Sequence, residues 1–155
     1  MLGEDDPAPD FDLPRPTGEG TPTYRLSAAA SDSPVTLAFV GLADAPGTLA
    51  LLRELGELGW SSMPGPVAAL GVCVDEMDAV ASLADSLDLP YPLLADPDGF
   101  FAQRYGVLEE QGGQLYLRRG LFVVDQSCRL RFVWRANDPE ESLPVEDVAA
   151  TLRSL

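Results

Sequence analysis

A long apolar run followed by a helical pattern of leucines lies in the first half of the chain. The run covers residues 35–42 and predicts a strand that is buried on both faces of a sheet. A turn at residues 44–47 follows, and leucines then recur at helical spacing, which predicts an amphipathic helix with Pro46 in its first turn. This unit presents the N–H groups and the positive dipole end of the helix above the strand.

The rest of the pattern predicts further strands and helices in a fixed order. Phe11 and Leu13 alternate in a short edge strand, residues 14–23 form a hairpin or loop, and residues 28–33 and 109–113 are loops. The later elements are a strand over 67–75, a helix over 77–87 that Pro90 ends, a short strand and helix over 91–107, a hairpin over 119–134 and an amphipathic helix from residue 145. Such an order is typical of an α/β fold with a central mixed sheet.

Length and hydropathy limit the organisation of the molecule. The chain has 155 residues and 46% hydrophobic composition, which predicts one domain over 1–155, with the acidic residues 1–6 loose. We expect no membrane span, because no apolar run reaches the roughly 18 residues that one requires. No basic, apolar leader precedes residue 7, so we expect no secretory signal and a cytoplasmic location.

The charge is strongly negative. The formal net charge is −15, every basic residue is Arg, and His is absent. This composition argues against nucleic acid and anionic membranes as partners, because both are bound through Lys and Arg. Two explanations of the acidity remain open. One is a cytoplasm of very high salt, in which the Debye length falls to about 3 Å at 1 M and self-repulsion is screened. The other is a GC-rich genome, which explains the missing Lys but not the acidity.

The cysteines form no recognisable motif. Cys73 and Cys128 are far apart in sequence, and we expect them at opposite ends of the sheet, too distant for a disulfide. Without His, neither a His-based metal site nor a Cys–His nucleophilic pair can form, and the acidic clusters do not fit a calcium loop. We therefore predict no metal and no cofactor, in a reducing compartment.

Several segments together resemble the peroxiredoxins, in particular their bacterioferritin-comigratory branch. Residues 41–48, which read GLADAPGT, lie where that branch has Pro-x-x-x-Thr-Pro-Gly-Cys. The segment YPLLADPDG at 91–99 with FAQRYGV at 101–107 is similar to FPLLSDPxG and xAxxYGV, and RGLFVVD at 119–125 is similar to R-x-x-F-x-I-D. The resemblance runs from about residue 7 to residue 155, and it begins with an entry segment like APDF-x-L.

This resemblance implies both a fold and an activity. The fold is thioredoxin-like and of the peroxiredoxin type, with helices on both faces of the sheet. The activity is thiol-dependent peroxide reduction, in which a thioredoxin-like reductant restores the enzyme. Relatives of the family also pair through dimer surfaces, so a homodimer or a pairing with other peroxiredoxins is implied.

The residues that carry the family's chemistry differ in this chain. Thr48 stands where the family has its peroxidatic Cys, Ala45 where it has Thr, and Gly41 where it has Pro. A hydroxyl is too weak an acid to replace a thiolate, and the chain has no His or Lys to act as its base. Arg53 also stands where the branch often has a resolving Cys. We therefore predict a vestigial site without peroxidase activity.

Two residues leave alternatives open. Arg119 aligns with the family's peroxide-binding Arg, so it either faces the start of the helix as part of an anion pocket or is a surface residue beside Arg118. Cys73 is either an inert buried thiol or a redox thiol near the old site. Three hypotheses follow: a silent redoxin that binds a partner or a small anion, an oxidoreductase that uses Cys73 or Cys128, and a scaffold that pairs with active relatives.

Overall fold

The computed structural model describes residues 2–16, 22–42, 48–57, 68–87, 91–137, 141 and 143–155. Its elements, in chain order, are β1 (Asp12–Pro14), β2 (Thr23–Arg25), α1 (Leu26–Asp32), β3 (Val35–Val40), α2 (Thr48–Glu57), β4 (Ala68–Cys73), α3 (Met77–Ser86), β5 (Leu93–Ala95), α4 (Phe100–Arg104), β6 (Leu108–Gln111), β7 (Gln114–Leu117), β8 (Gly120–Val124), β9 (Leu130–Arg135) and α5 (Val145–Ser154).

The central sheet is mixed, as the sequence predicts. Its strand order is β5-β4-β3-β8-β9. The first three of these strands are parallel, and β8 is antiparallel to both β3 and β9. All six residues of β3 are buried, which confirms that this strand has both faces covered. The small sheets β1–β2 and β6–β7 are antiparallel pairs outside the central sheet.

Each face of the central sheet has its own core. Val35, Leu37 and Phe39 of β3 pack on one face, where Tyr105 and Phe122 join them. Alternate residues of the same strand pack on the other face, together with leucines and valines of α2, α3 and α5. Each fully buried Leu or Val stabilises the fold by about 1.5–3 kcal/mol relative to an exposed one.

The segment predicted as a surface loop over 28–33 is helical, and that prediction was wrong. Helix α1 extends through Asp32. The segment contains three consecutive alanines, and Ala has the highest helix propensity of all residue types. Leu26 and Ala30 lie four residues apart, so both are buried on one face of the helix. Burial of this narrow face stabilises a helix that is too short to show a clear period in the sequence.

The acidic loop predicted over 109–113 is also wrong, because strands β6 and β7 form a hairpin there. Gly112 and Gly113 make the two-residue turn, with φ of 59° and 82°. Both values lie in the left-handed region, which glycine adopts without a steric penalty and which suits the twist of a hairpin.

The N-terminal segment lies along the edge strand β9. The Asp5 amide donates to the Leu130 carbonyl at 2.7 Å, and the Leu130 amide donates to the Asp6 carbonyl at 2.9 Å. Arg131 forms an ion pair with Asp5 at 2.7 Å. Residues 2–6, which the sequence predicts to be loose, are therefore bonded to the sheet in the structure. Within the described ranges, no helix has the length and apolarity to cross a membrane.

Candidate active site

Four of the predicted site residues lie at one end of the central sheet, where β3 and β4 finish and β8 begins. Strand β3 ends at Val40, which pairs with Cys73, and Gly41 follows directly. Strand β8 begins at Gly120, which pairs with Phe39, so that the preceding Arg119 lies at the same end. Thr48 is the first residue of α2, the helix that follows β3. The fifth predicted residue, Ala45, lies outside the described residues.

Thr48 is almost completely buried and its hydroxyl is used structurally. The residue is 1% exposed. Its Oγ1 donates a hydrogen bond to the Leu42 carbonyl at 3.0 Å. This bond ties the start of α2 to the residue that follows β3 and Gly41. The hydroxyl proton therefore points to a backbone oxygen, and not to a base that could remove it.

Cys73, the last residue of β4, is buried beside Gly41, the residue that follows β3. The residue is fully buried, and its Sγ donates to the Gly41 carbonyl at 3.1 Å. Burial, together with the nearby charge of Asp75, raises the pKa of the thiol to about 12. At neutral pH this thiol is protonated and has no contact with solvent, so it is a poor nucleophile.

Cys128 lies at the opposite end of the sheet, as the sequence predicts. It occupies the turn between β8 and β9, with φ of 61°. Partial burial raises the pKa of its thiol, and the carboxylates of Asp10 and Asp125 raise it further. Both cysteines are free thiols. Neither has the electropositive surroundings that activate a catalytic cysteine.

Arg119 is held at the site edge by the segment that follows β9. Its guanidinium lies 5.7 Å from the centre of the Trp134 ring and donates to the Glu141 carbonyl. Arg119 precedes Leu121 by two residues, and Leu121 packs on the face that carries α2 and α5, so Arg119 is on the same face as α2. Arg119 therefore lies at the same end of the sheet as Thr48, and its guanidinium contacts are with the Trp134 ring and the Glu141 carbonyl.

The Asp-Pro-Asp-Gly segment has a structural role beside the site. Asp96 is buried, and its carboxylate accepts a hydrogen bond from the Ala102 amide at 2.9 Å. Burial raises the pKa of this carboxyl group above its usual range. Gly99 has φ of 69° and lies against the Leu108 side chain, so a residue with Cβ would be both strained and crowded there. The segment therefore fixes the start of α4.

Several contacts at the site could not be predicted from the amino-acid sequence. The acceptors for Thr48 and Cys73 are the backbone carbonyls of Leu42 and Gly41, which every residue type possesses. Trp134 lies against the Arg119 guanidinium, a contact that no motif in the sequence indicates. In the part of the chain that the structure describes, no three acidic or cysteine side chains are grouped so as to hold a metal.

Comparison with known proteins places this geometry in context. The AhpC/TSA family matches residues 5–133. A Mycobacterium tuberculosis protein named as a peroxiredoxin, MT1643, is 34% identical over 121 residues, which is 77% of each chain. A Coxiella burnetii protein named as the peroxiredoxin bcp is 29% identical over 132 residues, covering 82% of this chain and 84% of its own.

Solved structures agree with the predicted fold. Peroxidoxin BcpB from Mycobacterium tuberculosis superposes with a TM-score of 0.82 and 30% identity, over 100% of this chain and 99% of that one. A cysteine-to-serine mutant of PrxQ from Xylella fastidiosa gives a TM-score of 0.78 over 99% and 97% of the two chains, and its 20% identity bears on the fold alone. The predicted thioredoxin-like fold of peroxiredoxin type is confirmed.

Proposed function

The chain belongs to the AhpC/TSA family of peroxiredoxin-like redoxins, and on that premise we propose that it has lost peroxidase activity and acts as a binding protein. The family's activity is thiol-dependent peroxide reduction. The observation that carries the proposal is the bond from the Thr48 hydroxyl to the Leu42 carbonyl. It gives the side chain at the nucleophile position a structural role in place of a chemical one.

Peroxide reduction needs an anionic sulfur at this position. The thiolate attacks one peroxide oxygen and the O–O bond breaks, so the nucleophile must be ionised at neutral pH. A hydroxyl lacks both the acidity and the capacity to be oxidised in this way. With no His or Lys in the chain, none of the usual nitrogen bases is present to assist Thr48.

The existing thiols do not replace the missing one. Cys73 is close in the sheet, but its burial and its bond to the Gly41 carbonyl stabilise the neutral thiol. Cys128 is at the far end of the sheet. A redox cycle between these two residues would also need sulfur atoms within about 2 Å, which requires Cα atoms no more than about 7 Å apart.

A binding role fits what remains of the site. Arg119 keeps a positive charge at the edge where α2 begins, in a chain with few positive charges. We propose that the protein acts in the cytoplasm on redox proteins, a thioredoxin-like reductant or a peroxiredoxin relative, through surfaces that the family shares. In this proposal the acidic composition is a property of the whole protein surface and has no role in the site.

The test is a peroxide assay coupled to a thioredoxin system. We expect turnover near background for the wild-type protein and for the Cys73→Ser and Cys128→Ser variants. Turnover that disappears with Cys73→Ser alone would overturn the proposal in favour of an oxidoreductase that uses Cys73. Turnover that persists without both thiols would contradict the whole account of the site.

Thr48→Cys restores the family's nucleophile, and Thr48→Ser is its matched control. The position is 1% exposed, which opposes ionisation, but we expect the N-terminus of α2 to outweigh this burial and favour a thiolate, so that the introduced thiol is oxidised once to a sulfenic acid. The cycle should then stop, because Arg53 stands where the branch often has a resolving Cys. Mass spectrometry after dimedone labelling measures this product. An introduced thiol that titrates near the ordinary value of about 8.5 would show that the electrostatics of the site are lost as well.

A further inference from the structure

The β6–β7 hairpin exposes an apolar side chain, Leu115, in the part that extends past the core. Leu108 and Leu117 are paired at its base and pack against the core. Residues two positions along each strand lie on the same face of the ribbon, so Leu115 and its partner Glu110 continue that face toward the tip. Leu115 is 70% exposed there.

A second exposed apolar residue lies next to the base of this hairpin. Helix α4 packs against β6, and the Leu108 side chain lies against Gly99, which directly precedes Phe100. Phe100 is 54% exposed although it is one of the largest apolar side chains. We call Phe100, Leu108 and Leu115 together the overhang surface.

The charges around the overhang surface are mainly negative. Asp98 precedes Phe100 by two residues, Glu110 is cross-strand from Leu115, and both are exposed. One positive charge also lies here, because the Arg104 guanidinium is 5.9 Å from the centre of the Phe100 ring. A second copy of the chain would bring the same carboxylates and a further −15 charge to the contact, so electrostatics disfavours self-pairing through this surface.

We propose that the overhang surface binds a basic, apolar segment of a partner protein. The apolar side chains of the segment would cover Leu115 and Phe100, and its Lys or Arg residues would lie beside Asp98 and Glu110. Strand β7 leads through Arg118 and Arg119 into β8, so the base of the hairpin is joined directly to the end of the sheet that holds Arg119. This inference does not depend on whether any peroxide chemistry survives.

The probe is a short fluorescein-labelled peptide of alternating Leu and Arg, and its control has Glu in place of Arg. Binding is measured by fluorescence anisotropy at low ionic strength and at ~0.5 M KCl. Leu115→Gln and Phe100→Gln remove apolar area without changing charge. Tyr116→Gln, on the opposite face of the same hairpin, and Leu155→Gln, at the end of the chain, are matched controls for exposed residues outside the overhang surface.

We expect the Arg peptide to bind and the Glu peptide not to bind. Leu115→Gln and Phe100→Gln should each weaken binding about tenfold or more, because a buried side chain of this size is worth at least that factor. Equal affinity of all four variants would show only attraction to an acidic surface and would overturn the proposal, as would absence of binding. A molar mass by light scattering that falls on Leu115→Gln would assign the surface to a second copy instead.

Discussion

Two buried threonines, one in β3 and one at the start of α2, allow the role of the Thr48 hydroxyl to be measured by comparison. Thr36 in β3 and Thr48 in α2 are 0% and 1% exposed. The Thr48 hydroxyl donates to the Leu42 carbonyl, whereas the Thr36 hydroxyl has no hydrogen-bond partner among the described residues. Replacement of each by Val keeps the branched shape and removes only the hydroxyl.

Thr36→Val should stabilise the protein. The residue lies in the middle of the sheet, where it pairs with Ala69 and Val123, and it faces the core that contains α2 and α5. A buried hydroxyl without a partner costs about 1–3 kcal/mol in proteins. The methyl group of Val replaces it at nearly the same size and suits a strand. We expect the free energy of unfolding to rise by about 1 kcal/mol.

Thr48→Val should destabilise the protein. The variant loses a 3.0 Å hydrogen bond and leaves the Leu42 carbonyl to find another donor. The net value of such a bond is about 0.5–1.5 kcal/mol, and it is larger if the carbonyl stays dry. Thr and Val have similar helix propensities, so the helix itself adds little to the difference.

Urea unfolding followed by circular dichroism, at one fixed KCl concentration, measures both variants against wild type. The two should differ by about 2 kcal/mol, or roughly 4–8 °C in Tm for a chain of this size. If Thr36→Val destabilises as much as Thr48→Val does, the Thr36 hydroxyl is satisfied and the reasoning is refuted. If Thr48→Val is neutral, its hydroxyl is not a structural donor, and the main support for the proposed function is lost.

Two further predictions concern charge. If the acidity is a high-salt adaptation, Tm should rise between low and multimolar KCl, because salt screens the repulsion among the acidic side chains; an unchanged or falling Tm would exclude that explanation. Asp125 accepts hydrogen bonds from the Arg131 guanidinium and from the amides of Ser127 and Arg129. Burial alone would raise the pKa of Asp125, but these hydrogen bonds lower it. The carboxylate therefore contributes fully to the free energy of unfolding above its ordinary pKa of about 3.9, and this contribution is lost as the pH falls through the lowered value. Asp125→Asn should therefore cost about 1–2 kcal/mol at pH 7, and the difference from wild type in urea unfolding should shrink as the pH falls below about 4; a constant difference would contradict this.

The sequence was most informative where apolar residues recur with a clear period. The strands β3 and β4 came from unbroken apolar runs, because both of their faces are buried, and α2 came from leucines at helical spacing, because one of its faces is buried. The position of Cys128 in the β8–β9 turn followed from the antiparallel hairpin alone. These features depend on burial, which the choice of side chain records directly.

The sequence was least informative where short elements depend on tertiary contacts. Helix α1 has seven residues, and only two of them are buried, which is too little for a visible period. The β6–β7 hairpin has mainly polar or exposed residues, and its signal was the Gly112-Gly113 pair. The carbonyl acceptors of the site could not be predicted, because backbone groups are the same at every position.

The position of a thiol in this fold decides its chemistry more than its presence does. At the start of α2, a sulfur would meet the positive end of the helix dipole, which favours the thiolate. At the end of β4, one strand away, Cys73 meets apolar side chains, a carbonyl oxygen and the carboxylate of Asp75, all of which favour the neutral thiol. The chain has a hydroxyl where the fold would activate a sulfur and a sulfur where the fold suppresses it. If the proposed loss of activity holds, sustained peroxide turnover should appear only when Thr48→Cys is combined with a new resolving thiol, and no change at Cys73 alone should supply it.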